Sequence, residues 1–254
     1  MRDAVAAEWL KLRSVRSTYW LLGSLIPLFA LTTVVGHAMV AAWDAAPPAD
    51  RAHFESADMS VITGPLSQLI LAILAALAIT AEYRTGAITT TLTAVPNRAR
   101  LFGAKVIVVL GLTGVVAVLT AAASALMSLW LAGDRPPPME PFTSVPDALG
   151  TAAANTATSL VAALIGVGLG AVFRSSAGAV GAIAVLLFVG PAFAVYLPDP
   201  WDERVFGALL PSLAGQLTGA TSFPLGPAGA AVALVVYPLL ALGFGILVLL
   251  QRNA

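Results

Sequence analysis

MSVITGPLSQLILAILAALAITAEYRTG, residues 59–86, decides how this chain is built. No charged residue interrupts Met59 to Ala81; then Glu82, Arg84 and Gly86 arrive together. A membrane-spanning helix needs about 20 consecutive apolar residues, so the stretch reads as a span whose charged end meets water. A polar, threonine-rich segment follows. It runs to Pro96, Asn97, Arg98, Arg100 and Lys105, where the next apolar span opens. This segment offers a water-side docking surface between two membrane helices.

The rest of the chain repeats the pattern. It has 254 residues, of which 59% are hydrophobic and only 10% charged, with a mean hydropathy of +0.91. A soluble domain would carry about 25% charged residues. Six long uncharged stretches remain: Ser17 to Trp43, Met59 to Ala81, Val106 to Gly133, Ala148 to Phe173, Ser175 to Pro198 and Val205 to Gln251. The first five each fit one span. The sixth is broken in its first half by Pro211, Pro224 and Pro227 with Gly215, Gly219 and Gly226. The expectation is an all-α membrane protein, one transmembrane domain over 1–254. Its spans fall at about 18–42, 61–81, 105–132, 149–172, 176–197 and 228–250, with 205–227 a re-entrant segment before the last span.

Charge sets the orientation. Net charge is zero, but ten of the thirteen basic residues fall at the N-terminus, in the second and fourth connections and at the C-terminus. The other connections hold Arg51, Arg135 and Arg204. The positive-inside rule therefore places both termini in the cytoplasm. A cleaved signal peptide is the competing reading, but its apolar region would be about 7–15 residues, and the run here is nearer a full span.

Ahead of the first span, Val5, Trp9 and Leu12 recur at i, i+4, i+7, with Glu8, Lys11 and Arg13 elsewhere on the wheel. Such a helix suits the cytoplasmic interface, with Trp9 at headgroup level. Gly166, Gly168 and Gly170 in the fourth span, and Gly178 and Gly181 in the fifth, predict close helix approach.

Several chemistries are excluded. There is no cysteine, so no disulfide and no thiolate metal site can form. The two histidines, His37 and His53, are far apart in sequence; a Ser-His-Asp triad is improbable and no His-Glu-x-x-His occurs. No charged residue falls inside the six uncharged stretches, whereas ion-coupled carriers usually hold an ionisable group at mid-membrane. His37 reads as a packing residue. No G-x-x-x-x-G-K-[ST] loop occurs. Active transport would then draw its energy from another polypeptide; this chain is not expected to be an enzyme or to hold a cofactor.

Between Gly86 and Pro96, Ile88, Leu92 and Val95 recur at i, i+4, i+7. That is a short helix with a narrow apolar ridge. It either fits a groove on a partner or folds onto the membrane helices, and the residues leave both open.

Glu8-Trp-Leu-Lys-Leu-Arg-Ser14, then Arg16-Ser17-Thr18 and Trp20, resembles the N-terminus of bacterial type-2 ABC exporter permeases. Glu82-Tyr83-Arg84-Thr85-Gly86, with Pro96-Asn97-Arg98 and Lys105, looks like the same family's loop after its second span. The alanine-rich composition, with eleven Arg against two Lys, resembles that of an actinobacterial protein. The resemblance implies that 86–95 is the coupling helix that meets the ATPase, so that Glu82, Arg84, Gly86, Ile88, Leu92 and Val95 couple the subunits. Glu82 and Arg84 would join the N-terminal helix in a transmission unit. It also implies two ATPase copies that bind ATP and magnesium, a second permease subunit, membrane lipid around the bundle and a substrate passing between the permeases; the uncharged spans themselves suit a small amphipathic or lipid-like cargo. No nucleic acid is involved. The alternatives are an ATP-independent facilitator or secondary carrier, and a non-transporting membrane anchor.

Overall fold

A computed structural model describes residues 1–87 and 97–251. Among the described residues the chain is helical and has no strand. The helices are α1 (Arg2–Ser14), α2 (Arg16–Gly23), α3 (Leu25–Ala45), α4 (Ser60–Thr85) and α5 (Arg98–Ala132), then α6 (Val145–Phe173), α7 (Ser176–Ala184), α8 (Gly190–Ala194), α9 (Trp201–Ala208), α10 (Leu210–Thr218) and α11 (Gly226–Gln251). Six stretches are long and apolar enough to cross a membrane: Arg16–Ala45, Ser60–Thr85, Arg98–Ala132, Val145–Phe173, Ser176–Ala194 and Gly226–Gln251.

Local chemistry sets the ends. The Asn97 side chain caps α5 by accepting from the Arg100 N–H, and Ser144 caps α6 by accepting from the Asp147 N–H. Each satisfies a donor that the first turn would otherwise leave orphaned. Gly86 ends α4 at φ 71°, in the left-handed region that glycine enters without a Cβ penalty. The fifth span is not uniform. Pro191 has no N–H to give the turn before it, and Val185–Val189 widens into a π turn in which the Gly190 N–H reaches the Val185 carbonyl.

α4 and α6 form the centre and are the most buried spans; the first, fifth and sixth expose most of their surface. Backbone contact draws the centre together. A Cβ on Gly166 would lie 2.2 Å from the Ala72 carbonyl oxygen of α4, and one on Gly168 would lie 2.3 Å from Ala241 O of α11. Glycine is therefore required for these two helices to touch α6 so closely. The expectation for the fourth span is met, but the one for the fifth is not. Gly178 packs on the Phe173 side chain just across the short turn at the end of α6, and Gly181 faces open space.

The broken sixth stretch folds back as α9 and α10. Leu210 and Leu213 are buried in the cluster formed by α4, α6, α7 and α11. Gln216 donates to Gly207 O at 2.7 Å, and the Tyr237 hydroxyl of α11 donates to Ala208 O at 2.5 Å. The segment's free backbone carbonyls are thereby paired among the spans, as a non-helical break at membrane depth requires. His37 makes an edge-to-face contact with Trp130, with ring centroids 5.0 Å apart, the packing role expected of it.

At the end of the bundle remote from α1, the Arg135 guanidinium grips Asp44 through two hydrogen bonds of 2.9 and 2.7 Å. This bidentate pair holds Arg135 above its ordinary pKa. Met59 N–H donates to the Ser128 hydroxyl of α5, and Ala57 N–H donates to Met139 O, tying the two connections to each other.

Candidate functional site

The first helix docks by only part of its apolar stripe: Leu12 joins Leu74 and Val108 in a buried cluster and Val5 packs against it, while Trp9 stays outside. Its buried residues are Ala4, Glu8 and Leu12, spaced i, i+4, i+8. Of the expected face, Leu12 is buried, Val5 is half-buried and Trp9 is 44% exposed. The reason lies opposite. Lys105, seven residues into α5, is only 5% exposed, and it faces Glu8 and Glu82. A buried ammonium must be met by a carboxylate, so Glu8 turns inward and the helix rolls with it.

Four charges close a ring. Lys105 Nζ lies 2.6 Å from Glu8 Oε2 and 2.8 Å from Glu82 Oε1. Lys11 Nζ lies 2.7 Å from Glu8 Oε1 and 2.7 Å from Glu82 Oε1. Signs alternate around the ring and the sum is zero. Three elements supply it: α1 gives Glu8 and Lys11, α4 gives Glu82 from its last turns, and α5 gives Lys105. Glu8 and Glu82 are nearly as buried as Lys105, whereas Lys11 is 40% exposed. Desolvation, the largest influence on Lys11, pulls its pKa down. The hydrogen bonds and charges of Glu8 and Glu82 together outweigh it and hold the pKa above the ordinary value.

The turn after the ring is fastened too. Thr18 Oγ1 donates to Leu12 O and Tyr19 Oη to Arg13 O, satisfying the last carbonyls of α1 as the chain bends at Val15 into α2. Beside the ring, α1, α2, α4 and α5 border an open cleft of about 300 Å³, lined by Leu12, Leu21, Leu74 and Val108 and edged by Arg84. Arg84 itself is exposed.

A second fastening lies at the same end. Arg98 Nη1 donates to Leu249 O at 2.8 Å and Arg174 Nη2 to Val248 O at 3.2 Å, so α5 and the α6–α7 connection hold the last turn of α11. The Arg174 guanidinium also sits over the Tyr83 ring, 5.1 Å from its centroid. Tyr83 follows Glu82 in α4, so both fastenings converge on that helix end.

Of the residues expected to matter, the structure brings Glu82 and Lys11 together and leaves Trp9, Arg13 and Arg84 at the surface. Gly86 terminates α4 at the ring's edge. Ile88, Leu92 and Val95 lie outside the described residues. Glu8 and Lys105 are the ring members not singled out in the sequence. The helices run beyond the charge-free stretches and carry charges at their ends: the helix of the second span includes Glu82 and that of the third starts at Arg98 and includes Lys105. A joint signal existed, since Glu8 shares the i, i+4 register of Ala4 and Leu12. Among the described residues no group of three His, Cys, Asp or Glu could hold a metal ion. The ring's carboxylates and ammoniums neutralise one another, so the arrangement suits mechanical linkage rather than proton transfer.

Over residues 4–190 the sequence matches the ABC-2 family of transporter proteins. The chain belongs to that family. The match takes in α1, the charge ring and the first five spans almost to their end. An ABC-2 permease is the transmembrane subunit of an ABC transporter, not its ATPase. No individual curated protein matches the chain.

Proposed function

We propose that this ABC-2 permease is the membrane subunit of an ATP-driven exporter of the bacterial plasma membrane, with both termini in the cytoplasm. Two copies of a separate ATPase would drive it, and a second permease subunit, identical or not, would complete the pathway. The substrate class that suits its uncharged spans is a small amphipathic or lipid-like molecule, such as an antibiotic. One observation carries the reading. The buried ring locks α1 to α4 and α5 at the two helix ends that flank segment 88–96. A force applied to that segment by a nucleotide-driven partner would reach three helices at once. Each carboxylate of the ring is shared by both lysines, and Glu82 is the one carried by α4, four residues before Gly86 and the segment, so it is the residue through which the segment's movement would pass.

The segment's own ridge provides the test. Burying an unpaired charge in a groove costs several kcal/mol, at about 1.4 kcal/mol per tenfold in affinity. Leu92→Asp should abolish co-purification with the ATPase while the permease still inserts, and Thr91→Asp, off the ridge, should be milder. Normal co-purification of Leu92→Asp would remove segment 86–95 as the docking surface. Glu82→Ala should assemble but lose substrate-stimulated ATP hydrolysis in reconstituted vesicles.

A further inference from the structure

A polar seam runs between α4, α5 and α6, well away from the charge ring. α4 contributes Thr63 and Ser67, α5 contributes Ser124 and Ser128, and α6 contributes Asn155 and Ser159; all are buried. Part of the seam is internally paired. Thr63 Oγ1 and Ser124 Oγ lie 2.6 Å apart, Thr63 Oγ1 also reaches Met59 O, and Ser128 Oγ donates to Ser124 O. Ser67 is different. Its side chain is 3% exposed and its hydroxyl has no hydrogen-bond partner. Around it lies a small cavity of about 10 Å³, bounded by Thr63, Ser67, Thr120, Ser124, Asn155 and Ser159.

Three features fit one occupant. The volume is that of a single water-sized probe, the least that admits a water. The site supplies both hydrogen-bond senses. Ser67 has a free O–H to give. Asn155 spends its Nδ2 on Thr151 O and turns Oδ1 toward the α4 backbone, where a Cβ on Gly64 would lie 2.7 Å from it. The setting also favours an occupant, because a hydroxyl this deeply buried is costly unless it is hydrogen-bonded.

We infer that this seam binds one internal water molecule, which accepts from Ser67 Oγ, donates to Asn155 Oδ1 and thereby ties α4 to α6 beside α5. A methyl group at Gly64 would lie 2.7 Å from Asn155 Oδ1 and so displace the amide that receives the water's proton.

The opposing possibility is an orphan hydroxyl in a dry seam, and the two differ in sign. Removing an orphan relieves a desolvated group, whereas removing an anchor of a bound water leaves other buried groups unsatisfied. Ser67→Ala keeps the volume and the helix, so it should fold. With water present, its melting temperature in detergent should fall by roughly 2–4 °C, the shift expected of about 1 kcal/mol in a chain this size. A density map of the full-length protein in lipid nanodiscs, at a resolution that reveals ordered waters, should show a peak between Ser67 and Asn155. That peak should be lost in Gly64→Ala. An unchanged or raised melting temperature for Ser67→Ala overturns the inference, and so does a seam without density.

Discussion

Replacing Lys105 by methionine removes the most deeply buried cation of the ring while keeping the length of its side chain. Glu8 and Glu82 then retain only Lys11, and the ring's charge falls from zero to −1. Breaking a buried ion pair by deleting one partner costs about 3–5 kcal/mol, because the remaining charge is left uncompensated. Lys105, Glu8 and Glu82 are all less than a tenth exposed, so that range applies here rather than the 0–1 kcal/mol of a surface pair. Lys11→Met leaves the same two carboxylates with one lysine, but Lys11 is 40% exposed, so water can reach the charge it leaves and the loss should be smaller than for Lys105→Met. Since α1 is held chiefly at the ring and at Leu12, the loss should emerge as undocking of α1. At about 1.4 kcal/mol per tenfold, the undocked fraction rises by about two to three and a half decades. Limited trypsin digestion at Arg13 and Arg16 in detergent reads that fraction directly. Adding Glu8→Gln to Lys105→Met should recover part of the loss by removing the stranded carboxylate, giving a favourable coupling in the double-mutant cycle. Equal trypsin sensitivity of Lys105→Met and Lys11→Met would refute the claim that burial gives Lys105 its weight.

Gly166→Ala should destabilise by about 1–3 kcal/mol or prevent folding, because its Cβ would collide with the Ala72 carbonyl, while Gly181→Ala should be neutral; melting in detergent compares the two. The raised pKa of Lys11 means that its protonated form stabilises α1 docking. That contribution is fully present below the ordinary value of 10.5 and is lost as pH rises through the higher folded-state value. An alkaline trypsin-sensitivity transition should therefore occur above pH 10.5 and vanish in Lys11→Met. For topology, Asp50→Cys and Asp147→Cys should label from outside intact cells and Thr90→Cys should not; external labelling of Thr90→Cys would invert the proposed orientation.

The spans were legible because hydropathy along a helix is a property of sequence alone. Their ends were less so. The third span was expected to open at Lys105, yet α5 starts at Arg98, since a helix continues past the apolar slab when its cap and hydrogen bonds allow. The π turn ahead of Pro191 depends on one missing donor within an otherwise ordinary apolar run. The ring was only partly legible. Glu82 and Lys11 stood out at a membrane edge, but Glu8 and Lys105 looked like solvent-facing charges. A scale that scores residues singly counts each as a reason to be outside. Only their pairing across 97 residues of sequence makes burial tolerable. Likewise Gly166 and Gly181 are identical in composition terms, and only the neighbouring backbone separates them.

The alternation of sign around the ring has an electrical consequence. Moving one elementary charge across a membrane potential costs or yields about 2.3 kcal/mol per 100 mV. A ring of two ammoniums and two carboxylates carries no net charge, and with alternating corners it has little dipole as well. Its field therefore dies away over a distance comparable to its own width. If α1, α4 and α5 shift together with the ring intact, that shift does no work against the membrane voltage. Whatever the voltage across the bilayer, the ring itself adds nothing to the cost of that shift.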